Sequence, residues 1–430
     1  FVPDVVALFL FRFSFLTPKP KEAKPLLLAM LKPVSPPGEI LRVKRARGAA
    51  GCYAAPFADT RPPGTSSAHK KQPRSTSFEQ EQQEQQQHQQ QHQQNQQQPA
   101  IREKKLEELL QQPNANLSAL KKLSWGGTMP SIRANVWKIL LGYLPVNKER
   151  REITLARKRQ EYTDIASKLN FTEINSSEET YDKKQLHQID LDILRTNPTK
   201  VFEHDTIKDS LKRVLFLFAI RHPASGYVQG MNDLLSVFYT VFLWDYLKAE
   251  QYEEVSQFDV NSLPKQALWE IEADSYFCIT KMLDSIQDNY TFAQPGIQRM
   301  IHKLQELVKT LDCDLVKHFE VENVTFLLFA MPWMNCLLVR EIPLPLILRM
   351  WDTYFAEEEE ISNFHVYVCA AFIMQWATEL KSLDFQGIVL LFQTASSEKT
   401  NNWKNEDVES LLSQGYMYKM LYHNSPNHLK

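Results

Sequence analysis

Several patterns that usually reveal a protein's chemistry are missing from this sequence. Its five cysteines are odd in number, are widely spaced and form no C-x-x-C pair, so neither a disulfide framework nor a zinc site is predicted. No glycine-rich phosphate loop occurs, and alternating runs of β-branched residues are scarce, which disfavours a sheet-based nucleotide-binding fold. These absences favour a reducing, cytoplasmic setting and an all-α fold.

A long apolar run is also missing. The stretch from Val5 to Leu10 is strongly apolar but is closely followed by Arg12, so it is much shorter than the ~20 residues that a transmembrane helix needs. Residues 1–78 hold 13 Lys or Arg against 4 Asp or Glu, a charge of +9, and the whole-chain charge of −2 therefore leaves −11 for the rest. An acidic folded part argues against nucleic acid as a partner.

Composition divides the chain into three regions. Eleven of the 23 prolines lie within residues 1–78, together with most of the basic excess, and a glutamine tract follows from Glu79 to Gln98. Residues 1–100 therefore bury too little apolar surface to fold, and we expect them to be disordered. Residues 101–114 are predicted to form a charged linker helix, and residues 115–430 a folded domain.

The folded region has the periodicity of helices. After Pro130, apolar residues recur at helical spacing up to a stop signal at Gly142, which predicts one helix there. Similar patterns predict further helices over Asn147–Leu169, Ile207–Ile220, Asp233–Leu247, Lys265–Ile286, Pro295–Leu311, Val324–Val339, Leu344–Tyr354, Phe364–Leu380 and Glu406–Leu421.

Three short motifs stand out in this helical region. The first is R-x-x-x-W, formed by Arg133 and Trp137 after a Trp-x-Gly turn. The second is I-x-x-D-x-x-R-T, from Ile189 to Thr196, and the third is Y-x-Q, formed by Tyr227 and Gln229. Together and in this order they resemble the signature of the TBC-domain Rab GTPase-activating proteins. Flanking stretches from Ala115 onward are similar to the branch of that family called TBC domain family member 22.

The resemblance implies an all-α domain that binds a GTP-bound Rab-family small GTPase and stimulates its GTP hydrolysis in vesicle traffic. GTP and magnesium would belong to the partner, so no cofactor is expected in this chain. The branch also implies a place at Golgi membranes and Golgi scaffold or adaptor proteins as partners. By the same resemblance, Arg195 and Gln229 are the catalytic residues, and the supporting residues are Asp192, Thr196, Tyr227, Arg133, Trp137, Asn232 and Asp233.

The chemistry of these residues agrees with that role. An arginine inserted in trans neutralises charge on the transferring phosphoryl group and is worth ~10³ to 10⁵ in rate. Arg195 is followed by Thr196, Asn197 and Pro198, which favour a turn from which the guanidinium projects. Asp192 is placed to hold that turn through a charge-assisted hydrogen bond. The Gln229 carboxamide both donates and accepts, so it is able to orient an attacking water.

The surroundings of Gln229 predict an unusual backbone. Gly226 and Gly230 bracket the motif and permit conformations closed to other residues, and Asn232 or Asp233 is expected to cap the next helix. A purely structural alternative makes Tyr227 a core aromatic and Gln229 a capping or buried amide.

The first motif is expected to support the other two. Arg133 and Trp137 lie four residues apart on one helix face, so we expect Trp137 to pack inside while Arg133 braces the catalytic loops.

One departure from the family pattern keeps a second function open. Leu194 stands where the family commonly has proline before the finger arginine, which leaves the loop less preorganised. The alternative is a catalytically weak adaptor of the same fold, which binds a Rab or a Golgi scaffold without stimulating hydrolysis. A self-contained hydrolase is disfavoured, because Ser225 lacks the G-x-S-x-G elbow.

Overall fold

Helices account for the regular structure of the chain. The structure is a computed structural model that describes residues 101–169, 171, 181–196 and 199–423. Over these residues it contains no β-strand, only an isolated bridge between Asn114 and Asn147. The all-α fold class predicted from the sequence is therefore confirmed. The disorder predicted for residues 1–100 lies outside the described part of the chain.

The main helices run as follows. They are α1 (residues 101–111), α2 (Leu117–Ser124), α3 (Pro130–Leu140), α4 (Glu149–Ala166), α5 (Tyr181–Ile193), α6 (Asp205–Arg221), α7 (Met231–Leu247), α8 (Lys265–Ser285), α9 (Pro295–Leu311), α10 (Cys313–Val321), α11 (Leu327–Cys336), α12 (Leu344–Ala356), α13 (Ile361–Met374) and α14 (Asn405–Tyr422). Shorter helical segments are Lys200–Glu203, Tyr252–Ser256, Ala377–Leu380, Phe385–Leu390 and Ser396–Thr400, with single turns at Val260–Ser262, Gln287–Asn289 and Leu391–Ala395.

The helix α7 forms the centre of the core. Every residue from Met231 to Trp244 is buried, and most of these residues are apolar, as expected for a helix inside a core. It packs against α3 and α8 on its long sides and also contacts α5, α11 and α12. Because α7 begins directly after Gln229 and Gly230, a deeply buried helix fixes the segment that carries the Y-x-Q motif.

The first helix belongs to the packed core. The segment predicted as a linker helix is helical over residues 101–111 and buries Leu106 and Leu110. Arg151 on α4 donates to the Leu110 carbonyl oxygen at 2.8 Å, which attaches the end of α1 to the domain. The predicted linker helix is thus packed against the domain that follows it.

No helix in the described part of the chain is both long and apolar enough to cross a membrane.

Candidate functional site

The arginine motif lies where α5 ends. Residues 194–196 follow α5, which ends at Ile193, and form a turn that contains Arg195 and Thr196. The Arg195 amide donates to the Asp192 carbonyl oxygen at 3.0 Å, and the Thr196 hydroxyl donates to the same oxygen at 3.1 Å. The Arg195 side chain remains 43% exposed. The turn predicted for Arg195 is therefore present, although the next two residues, on which that prediction also relied, lie outside the described residues.

The buried carboxylate of Asp192 connects this turn to the Y-x-Q motif. Its Oδ1 accepts from the Arg195 guanidinium at 2.5 Å and from the Gln188 amide at 3.2 Å. Its Oδ2 accepts from the Tyr227 hydroxyl at 2.7 Å. A buried carboxylate needs such partners, because an unpaired charge away from water is strongly unfavourable. The charge-assisted hydrogen bond predicted between Asp192 and the arginine turn is confirmed.

Tyr227 is both a core aromatic and a polar connector. Its side chain is 7% exposed, and its hydroxyl lies 3.2 Å from the Asn232 side-chain oxygen as well as near Asp192. The Tyr227 amide donates to the Gln185 side-chain oxygen at 2.6 Å. Burial, followed by the negative charge of Asp192, raises the pKa of the Tyr227 hydroxyl well above its usual value. The hydroxyl therefore stays protonated and acts as a donor.

The two glycines around Gln229 adopt the backbone that the sequence predicted. Gly226 has φ +62° and Gly230 has φ +104°, a region that side chains strongly disfavour. A Cβ at Gly230 would come within 2.8 Å of the Cys336 sulfur. Gln229 itself is half-buried, and no hydrogen bond joins its carboxamide to another residue in the described part of the chain.

The predicted capping of α7 is wrong. Gly230 occupies the N-cap position, and no side chain caps the helix there. Asn232, inside the first turn, instead donates to the Thr196 hydroxyl at 2.9 Å and to the Asp192 carbonyl at 3.3 Å. Its side-chain oxygen accepts from the Gly230 amide at 3.2 Å. The amide thus joins the start of α7 to the arginine turn, a more distant connection than a local cap.

Asp233 forms an ion pair with a residue that the sequence analysis did not identify. Its carboxylate accepts from the Arg340 guanidinium at 2.8 Å and 2.6 Å, and the Cys336 thiol lies 3.6 Å away. Burial raises the pKa of the Asp233 carboxyl, and the Arg340 charge opposes that shift. Arg340 is 107 positions from Asp233 in the chain, so no local pattern could have paired them.

The geometry agrees with the comparison against known families. The family described as the Rab-GTPase-TBC domain matches residues 130–381, more than half of the chain. The chain belongs to this family. The match contains all three motifs and the helices that position them, from α3 to α13.

Similar proteins of this family are known in several organisms. The human TBC1 domain family member 22B is 45% identical over 336 residues, which cover 77% of this chain and 64% of the relative. The GTPase-activating protein gyp1 of Schizosaccharomyces pombe is 44% identical over 331 residues, 76% of this chain and 63% of the relative. The chain spans less than two thirds of these relatives. The predicted similarity to the member 22 branch is confirmed.

A solved structure supports the fold of this TBC domain. The crystal structure of the Ypt/Rab-GAP domain of Gyp1p superimposes with a TM-score of 0.69 at 41% identity. The similarity covers 75% of this chain and 99% of the solved chain.

The first motif of the TBC domain forms a separate cluster. Asp352 on α12 is fully buried and accepts from the Arg133 guanidinium at 3.1 Å and from the Trp137 indole at 2.7 Å. Arg133 also donates to the Thr128 carbonyl at 2.8 Å. Trp137 is buried, as predicted. The expectation that Arg133 braces the catalytic loops is wrong. Its hydrogen bonds join the turn before α3 to α12 instead.

The TBC domain therefore brings most of the predicted residues into one network. Its members are Asp192, Arg195, Thr196, Tyr227 and Asn232, with Gln229 attached through the backbone. Gln185 and Gln188 also belong to this network. The i, i+4 spacing of Gln188 and Asp192 on one helix is a signal from which Gln188 could have been predicted. Over the described residues, no group of three or more His, Cys, Asp or Glu is arranged to hold a metal ion.

Proposed function

We propose that this TBC domain stimulates GTP hydrolysis by a Rab-family small GTPase, with Arg195 and Gln229 entering the partner's nucleotide site. The observation that carries the proposal is the pair of hydrogen bonds on Asp192, one from Arg195 and one from Tyr227. Through them a single buried carboxylate sets the arginine turn beside the segment of Gln229. Two groups that act on one phosphoryl transfer need such a shared support, since small misplacements cost large factors in rate.

Arg195 has the exposure and the chemistry for stabilising the transition state. A guanidinium carries five donors in a planar fork, which matches two phosphoryl oxygens at once. The contact with Asp192 fixes the direction of the side chain, and the remaining exposed surface is available to a partner. Charge that develops only during phosphoryl transfer is then neutralised by a donor that is already in place.

Gln229 is suited to orient the attacking water. Its carboxamide offers one acceptor and two donors, and it is free of hydrogen bonds to the described residues. The left-handed glycine that follows it and the buried start of α7 hold its backbone. In this proposal Gln229 takes the place of the water-positioning glutamine that GTPases of this type otherwise supply themselves.

The proposed partner is the Rab in its GTP-bound form, which brings both the nucleotide and the magnesium ion. The similarity to the member 22 branch extends the proposal to vesicle traffic at Golgi membranes, with scaffold or adaptor proteins as further partners. Imaging of the tagged full chain in cells together with a Golgi marker tests this location.

A panel of purified Rab proteins tests the activity. We expect the protein to accelerate phosphate release from at least one GTP-loaded Rab far above the intrinsic rate. Binding to a GTP-loaded Rab without any acceleration across the panel would contradict the proposal and support the adaptor alternative, for which the exposed Leu194 in the arginine turn is the favouring observation.

A further inference from the structure

Phe292 is a nearly fully exposed aromatic residue beside α9. Its side chain is 96% exposed, the highest value among the exposed large apolar residues of the described region. A phenylalanine buries 150 Å² or more, on the order of a few kcal/mol, when a surface covers it. Single exposed apolar residues are common, so exposure alone does not indicate a role for Phe292. Its backbone conformation and its neighbours must support one.

The backbone that presents Phe292 is strained and well fixed. The next two residues, Ala293 and Gln294, have φ +63° and +46°, and each non-glycine residue in this region costs on the order of 1 kcal/mol. The Gln294 amide donates to the Thr291 carbonyl at 2.9 Å, and its side chain donates to the Asn289 carbonyl at 3.0 Å. Strained, over-determined turns of this kind concentrate at binding sites.

The same turn is attached to the candidate site. The Gln294 side chain donates to the Asn335 side-chain oxygen at 2.9 Å, and the Tyr290 hydroxyl donates to the Asn335 carbonyl at 2.9 Å. Asn335 in turn lies against Gly230, since a Cβ at Gly230 would be 3.7 Å from the Asn335 Cβ. Asn335 thus separates the Phe292 turn from the residue that follows Gln229.

We infer that Phe292 is an anchor that packs into an apolar depression on the Rab partner when the partner docks over Arg195 and Gln229. This inference rests on the proposed function and adds to it a specificity-determining contact outside the chemistry. Aromatic residues are frequent anchors in interfaces, and a backbone that is fixed before binding reduces the conformational entropy lost on docking. The continuity of the turn with Gly230 selects the GTPase over a second copy of the chain as the occupant.

The experiment compares the steady-state kinetics of Phe292→Ala with those of the wild type on the best Rab of the panel. The contact is equally present in the ground state and the transition state, so its loss raises KM by about tenfold or more and leaves kcat within about twofold. Affinity for the GTP-loaded Rab, measured in an Arg195→Ala background, falls by the same factor. Phe292→Tyr, which keeps the ring, retains most of the affinity.

Ile153→Ala is the matched control. Ile153 is 74% exposed on α4, a helix that packs on α8, and its removal leaves KM, kcat and affinity unchanged. An unchanged KM and affinity in Phe292→Ala would overturn the inference, and so would a change confined to self-association measured by light scattering. In either case, stimulation of GTP hydrolysis by the unsubstituted protein would still uphold the proposed function. If the wild type binds a Rab without stimulating it, the proposed function fails and the affinity comparison alone decides the inference. Absence of binding to every Rab overturns both.

Discussion

The Asp192 carboxylate contacts the side chains of Arg195 and Tyr227 and is almost completely buried. It accepts hydrogen bonds from Arg195 on one oxygen and from Tyr227 on the other, while its own backbone carbonyl receives the Thr196 hydroxyl. One side chain therefore joins the arginine turn to the Y-x-Q segment. The negative charge also matters, since a charge-assisted hydrogen bond to a guanidinium is about twice as strong as a neutral one.

Replacing Asp192 by asparagine tests this support. Asn keeps the shape but loses the charge and turns one acceptor into a donor facing the Tyr227 hydroxyl, so we expect a loss of about 1–3 kcal/mol in the free energy of unfolding. GTPase stimulation should fall by about tenfold or more, because the arginine is no longer directed. Chemical denaturation and single-turnover phosphate release measure the two effects.

Asp190→Asn is the matched control for that variant. Asp190 lies two residues away on α5, is 43% exposed and pairs with Lys212 at 2.7 Å. Exposed ion pairs contribute at most about 1 kcal/mol, so both stability and stimulation should remain close to wild type. Equal loss of stimulation in the two variants would contradict a special role for Asp192.

The start of α7 depends on a glycine. Gly230 is buried and has a left-handed backbone. A Cβ at this position would lie only 2.8 Å from the Cys336 sulfur. We expect Gly230→Ala to lower the free energy of unfolding by about 1–3 kcal/mol, through backbone strain and overpacking. Stimulation should fall as well, because Gln229 precedes this position directly.

The Gly142→Ala variant separates the effect of backbone strain from the effect of a position next to Gln229. Gly142 also has positive φ, at +70°, but nothing lies within 4 Å of its built Cβ. Its alanine variant should lose about 1 kcal/mol from strain alone and keep full stimulation. Thermal unfolding and phosphate release are compared for both variants, and impaired stimulation by the Gly142→Ala variant would disprove the local explanation.

Most of the longer helices were predicted from their periodicity, whereas α2, α5 and α10 were missed. The bounds predicted for α9, Pro295–Leu311, agree with the structure, because its apolar residues recur on one face. The helix α5, in which four residues are buried and most of the sequence is polar, was not predicted. The prediction Phe364–Leu380 spans two helices, Ile361–Met374 and Ala377–Leu380.

The site shows the same division between local and distant information. The turn at Arg195, its bond to Asp192 and the glycine backbone around Gln229 follow from residues close in sequence, and all three were predicted. The role of Asn232 as a connector and the pairing of Asp233 with Arg340 depend on how helices far apart in the chain pack together. A single sequence read by local rules contains no signal for such pairs, so capping was predicted in their place.

The packing of the whole domain encloses a histidine that joins three helices. His365 on α13 is fully buried, accepts from the Tyr354 hydroxyl of α12 at 2.7 Å and donates to the Trp333 carbonyl of α11 at 3.0 Å. Burial lowers the pKa of His365 to about 4. At neutral pH the imidazole is therefore uncharged, with one nitrogen accepting and the other donating.

Stability should therefore depend on pH through His365. The unfolded chain binds a proton at this residue near its ordinary pKa of 6.5, while the folded chain does not until about pH 4. The contribution is fully present above pH 6.5 and is lost as the pH falls toward 4, up to about 3 kcal/mol. Urea unfolding at pH 7 and pH 5 measures it.

The comparison needs a His365→Gln variant, because other buried groups act in the opposite direction. Burial raises the pKa of the Asp233 and Glu272 carboxyls, and that contribution increases stability as the pH falls. The wild type should lose more stability than His365→Gln between pH 7 and pH 5. Equal losses would show that His365 is not held neutral by the fold.

The central claim is that Arg195 stabilises charge that exists only in the transition state. The most direct measurement is single-turnover phosphate release from a GTP-loaded Rab, with Arg195→Ala and Arg195→Lys beside the wild type and with Rab binding measured separately. Stimulation should fall by ~100-fold or more in both variants while affinity stays within a few fold, because lysine keeps the charge but not the planar fork. Equal hydrolysis by wild type and Arg195→Ala, with binding confirmed, would contradict the account.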